Sequence, residues 1–209
     1  MTGERESLLE QLGFRFGISG PHAARTMMLD DLRLVLAHTP PQATRADYTS
    51  AVVDVNVLGK PTRKARELAL RHMATLYALD PANPIFRALR RLWTTDEAVQ
   101  PLLALAVALA RDPLLRGTQP FILGQAAGAA VQREAMEALL SATYPDRFSP
   151  ASLKSFAQNV SGTWTAAGYL HGKARKTRAV VQPRPESVTL LLFLGYLEGR
   201  TGQRLFSSD

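Results

Sequence analysis

The sequence predicts an all-α protein, a compact bundle of eight or nine helices that carries one small basic hairpin near its C-terminus. Three observations predict it. Apolar residues recur at helical spacing along most of the chain, as in Leu153, Phe156, Ala157, Val160 and Trp164 at i, i+3, i+4, i+7 and i+11. Proline and glycine punctuate the chain at short intervals, as in Thr39-Pro40-Pro41, Asp80-Pro81-Ala82-Asn83-Pro84 and Asp112-Pro113, and consecutive prolines cannot continue a helix. Stretches that alternate with period two are few, so at most a tiny sheet is expected.

Residues 1–20 open with a short helix containing Glu4, Glu6 and Glu10, without the apolar run of a signal peptide. Phe14, Phe16 and Ile18, interleaved with Gly13, Gly17 and Gly20, read as a small strand or an ordered loop. Pro21 begins a helix expected to reach about Ala37, and another is expected from Thr44 to about Asn56, although Val52, Val53, Val55 and Val57 are weak helix formers. Gly59-Lys60-Pro61-Thr62 turns into a helix over 62–79. Asn83 caps a helix over 84–93, and Thr95 or Asp96 caps one reaching Arg111 that is apolar nearly all round from Leu102 to Ala110, the profile of a core helix. Asp112-Pro113 restarts a short helix, and Gly124 to Gly128 leads into one ending near Thr143. Ser149 and Pro150 open a long helix that Gly168 ends. Residues 169–185 read as a hairpin or loop with Gly172-Lys173 at its tip and Val180-Val181 as a strand, and a last buried helix covers 186–199. A division into two lobes, 1–80 and 81–209, would fall in the Asp80 to Asn83 loop.

The charge is placed unevenly. Of 25 Lys and Arg, seven (Arg147, Lys154, Lys173, Arg175, Lys176, Arg178 and Arg184) lie in 147–185, where no Asp or Glu occurs. The other 18 match the 18 acids, so the net charge of +7 sits in this one stretch. Such a block is the footprint of a polyanion partner, most simply nucleic acid. The side of helix 150–168 away from its apolar stripe aligns Lys154, Gln158, Ser161 and Thr165, with Asn159 beside them. A long helix followed by a basic hairpin is the order of recognition helix and wing in a winged helix-turn-helix, though the connection 143–148 is longer than the usual tight turn. The plainer reading, a core helix and a solvated loop, stands beside it. A second basic patch gathers Lys60, Arg63, Lys64, Arg66, Arg87, Arg90 and Arg91.

Catalytic signatures are absent from the sequence. There is no cysteine, hence no disulfide, thiol nucleophile or cysteine metal site, as suits a reducing cytoplasm. His22, His38, His72 and His171 show no metal-ligand spacing, and no HExxH, GxSxG or complete P-loop occurs. A non-enzymatic chain without cofactor or metal is expected. The apolar runs 101–110 and 188–197 reach only about ten residues, where a membrane span needs roughly twenty, so both are expected as buried core helices.

The segments NPIFRALRRLW (83–93), PLLALAVALARDPLLRGTQPFIL (101–123), SLKSFAQNVSGTWTAAGYLHGKARKTRA (152–179) and LLFLGYLEGRTGQRLF (191–206) resemble the BrxA family of BREX bacteriophage-defence systems. The resemblance covers most of 80–206 and is weaker before it. It implies an all-helical fold related to the antitermination factor NusB, binding to double-stranded DNA through a positive surface, and work alongside other BREX proteins. No family motif fixes individual binding residues. The candidate contacts therefore rest on charge and helical phase: Lys173, Arg175, Lys176, Arg178 and Arg184 at phosphates, with Lys154, Gln158 and Asn159 near base edges or backbone. Two other functions stay open here, a NusB-type RNA-binding factor and an assembly adaptor whose basic loop docks on an acidic protein.

Overall fold

Prolines and side-chain caps set most of the helix starts in the computed structural model, which describes residues 3–93 and 96–206. In chain order the helices are α1 (Gly3–Gln11), α2 (Leu29–His38), α3 (Arg45–Val53), α4 (Arg63–Tyr77), α5 (Pro84–Leu92) and α6 (Gln100–Arg111). Then come α7 (Pro113–Arg116), α8 (Gln119–Leu123), α9 (Arg133–Thr143), α10 (Pro150–Ala166) and α11 (Pro185–Leu197). The hydroxyls of Thr44, Thr62 and Ser149 and the amide oxygen of Asn83 each accept the backbone N–H three residues on, closing the first turns of α3, α4, α10 and α5. Asp47 returns the bond to the Thr44 N–H, completing a capping box.

Helix α6 lies at the centre. Leu103, Ala104, Leu105, Val107 and Ala108 are buried along it, and it packs against α4, α5, α10 and α11. The same apolar cluster holds Met73 and Leu76 from before the Asp80 to Asn83 turn and Ile85, Phe86 and Leu89 from after it.

The protein is mainly helical with one small antiparallel sheet: β1 (Ala130–Val131), β2 (Leu170–His171) and β3 (Lys176–Arg178), in the order β1-β3-β2. Ala130 pairs with Thr177 and Val131 with Lys176, while on the other side Leu170 pairs with Arg178 and His171 with Thr177. The sheet joins the segment before α9 to the hairpin after α10, so α9 and α10 are enclosed between two of its strands.

Several expectations are corrected. The helix expected from Pro21 to Ala37 is a single 3₁₀ turn, Pro21–Ala23, followed by α2 from Leu29. Its backbone bonds go elsewhere: Met27 N–H donates to Thr163 Oγ1, Met27 C=O accepts from the buried Tyr77 hydroxyl, and Met28 adopts the left-handed region at φ +50°. Helix α3 stops at Val53, because the Asn56 side chain holds the turn 56–60 by bonding both the N–H and the C=O of Lys60. The strand in the hairpin is Lys176–Arg178, whereas Val180 is exposed beyond it. Residues 130–131 form a strand that sequence reading missed, and the Phe14 to Ile18 segment is a loop. Helix α6 begins at Gln100 without a side-chain cap; Asp96 bonds Ala98 N–H instead, and Thr95 lies outside the described residues. Helix α11 is only partly buried: Val188, Leu191 and Tyr196 are exposed on it. No helix among the described residues is long and apolar enough to cross a membrane.

Candidate nucleic-acid interface

Helix α10 is built to show one edge. Phe156, Ala157, Val160, Thr163 and Trp164 are buried on its inner side, and Trp164 Nε1–H donates to Thr118 Oγ1 at 3.0 Å. Its outer side leaves Lys154, Ser155 and Gln158 exposed. Beyond α10 the chain returns through the β2–β3 hairpin, where Gly172 takes φ +98° and faces the carbonyl of Arg175 so closely that a Cβ would collide with it. The tip 172–175 therefore projects as a tight loop. A groove of about 490 Å³ lies between the two, walled by Gln158, Ser161 and Gly162 of α10, Gln132, Arg133 and Glu134 at the start of α9, and Lys173 to Lys176 of the hairpin.

The predicted contact residues divide by what they already bond. Lys154, Lys173 and Arg175 are exposed and make no ion pair or hydrogen bond among the described residues. Lys176 is half-buried, and its Nζ donates to Gly172 C=O at 2.7 Å, bracing the tip. Arg178 is committed to the scaffold: Nε donates to Ile122 C=O at 3.0 Å, Nη1 to Ala179 C=O, and the guanidinium lies 5.1 Å from the Tyr169 ring centre. Asn159 points inward, with Nδ2 donating to His22 C=O at 3.2 Å. Arg184 is exposed but stands at the cap of α11, outside the groove lining.

The second basic patch is largely engaged. Lys60 pairs with Asp31 at 3.1 Å, and Arg63 with Glu67 at 3.0 Å and Asp54 at 3.6 Å. Arg66, Arg87 and Arg90 donate to the carbonyls of Val53, Pro81 and Thr39. Lys64 and Arg91 remain exposed, and none of the seven lines the groove.

A polar network beneath α10 has no sequence signal, because its members are far apart in the chain. His22 Nδ1 lies 2.8 Å from Asp112 Oδ2, and His22 Nε2 lies 2.8 Å from Thr163 Oγ1. Asp112 also accepts the backbone N–H of His22, Leu114 and Leu115. Burial opposes charge on this carboxyl, but the hydrogen bonds from the His22 ring and the surrounding N–H groups outweigh it and hold the pKa below 3.8. Hydroxyl, imidazole and carboxylate in a row is the order of an activated nucleophile. All three residues are fully buried, and Thr163 Oγ1 also accepts Met27 N–H, so no substrate reaches it. The row instead ties turn 21–27 and the start of α7 to the inner face of α10, which fixes the attitude of its outer edge.

No family model matches this chain, and no curated protein matches it.

Proposed function

We propose that the protein binds duplex DNA, with the outer edge of α10 in the major groove and the β2–β3 hairpin against a neighbouring phosphate run. The carrying observation is that the unpaired cations at the hairpin tip, Lys173 and Arg175, wall the same groove as Gln158 and Ser161 of α10. Strand order β1-β3-β2 with two helices between β1 and β2 supports a winged helix-turn-helix reading: α9 and α10 are the helix pair and the hairpin is the wing. On the opposite wall Arg133 pairs with Glu134 at 2.8 Å and Glu137 at 2.9 Å, so one cation offsets part of the acidic charge near the groove. The BrxA-like segments give this binding its setting, an accessory and non-enzymatic role in a phage-defence assembly. Single-stranded RNA is less well served, since recognition there leans on stacking. Trp164 is buried, and Tyr169 is covered by Arg178.

The test is fluorescence anisotropy of a labelled duplex across a salt series. Four phosphate contacts, from Lys154, Lys173, Arg175 and Lys176, give a slope of log K against log salt of roughly −3.6. A Lys173→Ala, Arg175→Ala double variant loses about two units of that slope. A double variant that binds as tightly as the parent, with the same slope, removes the hairpin from the interface and overturns the reading.

A further inference from the structure

We infer that Gln158 is the side chain through which the protein reads base identity, and that it selects adenine. The inference rests on the proposal that α10 enters the major groove. The exposed edge of α10 is made of small side chains, Ala151, Ser152 and Ser155, with the half-buried Ser161 further along it, so the helix backbone can approach a base-pair edge closely. Only Lys154 and Gln158 reach outward from it. They are one turn apart, about 6 Å along the axis, which is close to two steps of the 3.4 Å base repeat.

Their chemistries differ. Lys154 is a flexible point charge with donors only, suited to a phosphate or to the acceptors of guanine. The carboxamide of Gln158 offers a donor and an acceptor side by side. In the major groove that pair matches the N7 acceptor and N6 amino donor of adenine, in two parallel hydrogen bonds.

Two other side chains of suitable chemistry beside α10 are occupied, and Gln132, which walls the groove from the start of α9, lies off the helix proposed to enter it. The Asn159 amide is held by His22 C=O, and the Arg178 guanidinium by the carbonyls of Ile122 and Ala179. Gln158 is exposed, makes no hydrogen bond among the described residues, and faces the groove that the cationic tip also walls. Phosphates gripped by Lys173 and Arg175 would set the register in which that amide meets a base.

A duplex pool with a randomised core, selected in parallel on the parent protein, Gln158→Ala and Gln158→Arg, tests this. The parent is expected to enrich adenine at one position, Gln158→Ala to lose that enrichment while keeping its affinity for the unselected pool within about threefold, and Gln158→Arg to move the preference to guanine, whose O6 and N7 accept from a guanidinium. Replacing the selected adenine by 7-deazaadenine should weaken the parent roughly tenfold and leave Gln158→Ala unchanged. A parent that binds duplex with the expected salt slope but enriches no base overturns this inference alone, as does a Gln158→Ala variant with the parent's preference. A parent that fails to bind duplex at low salt overturns this inference and the DNA-binding reading together.

Discussion

Arg175 and Arg178 are three residues apart and carry the same charge, yet their substitutions should be felt in different experiments. Arg178 loses two carbonyl partners and its place over Tyr169, so Arg178→Ala is expected to lower unfolding free energy by about 1–3 kcal/mol in urea titrations. The Arg175 side chain makes no ion pair or hydrogen bond among the described residues; Arg175→Ala should leave stability within about 0.5 kcal/mol and weaken duplex binding instead. That Lys154, Lys173 and Arg175 stand unpaired was legible in the sequence, because no acid lies near them along the chain. The engagement of Arg178 and Asn159 was not, since Ile122 and His22 are 56 and 137 residues away. Asp112 adds a prediction in pH. Its folded carboxyl binds a proton less readily than the unfolded chain's, so the stability it lends is present above about pH 4 and drains away as pH falls through the folded value. Asp112→Asn should flatten that acid limb of the urea midpoint against pH while lowering the midpoint at neutrality.

Element boundaries were readable wherever a local bond sets them. Ser149-Pro150, Thr62 and Asn83-Pro84 each mark their helix by a contact within three residues, and each stands where expected. Boundaries set from a distance were not readable: the bonds that keep 24–28 out of a helix come from Tyr77 and Thr163, and β1 exists only because β3 lies alongside it. Ser149→Ala is expected to cost about 1 kcal/mol through loss of the α10 cap, measured by thermal or urea unfolding. Gly172→Ala acts on a different element. At φ +98° and against the Arg175 carbonyl the new methyl cannot be housed, so the tip must open. Because the tip is exposed and apart from the apolar cluster, circular dichroism should stay close to that of the parent while duplex affinity falls.

Across the whole molecule the two basic regions differ in their pairing more than in their number of cations. In the patch over 60–91, Lys60, Arg63, Arg66, Arg87 and Arg90 are held in ion pairs or carbonyl bonds, so its field is partly cancelled locally, while Lys64 and Arg91 stay exposed. A Lys60→Ala, Arg87→Ala variant is expected to keep duplex affinity within about twofold. Lys154, Lys173 and Arg175, without side-chain partners among the described residues, stand where α10 and the hairpin meet. That edge is held from behind by His22, which reaches Thr163 across 141 residues, and by Asp112, 90 residues from His22. This geometry carries a kinetic consequence. Turn 21–27 leaves a ribosome before α10 does, so it must wait for its counterpart while the residues between them are made. Closing so long a loop is slow compared with forming a helix. A nascent chain halted before α10 emerges would keep Met27 and His22 without their Thr163 partner, and a chain begun after turn 21–27 would leave α10 without the bonds that His22 and Met27 make to Thr163.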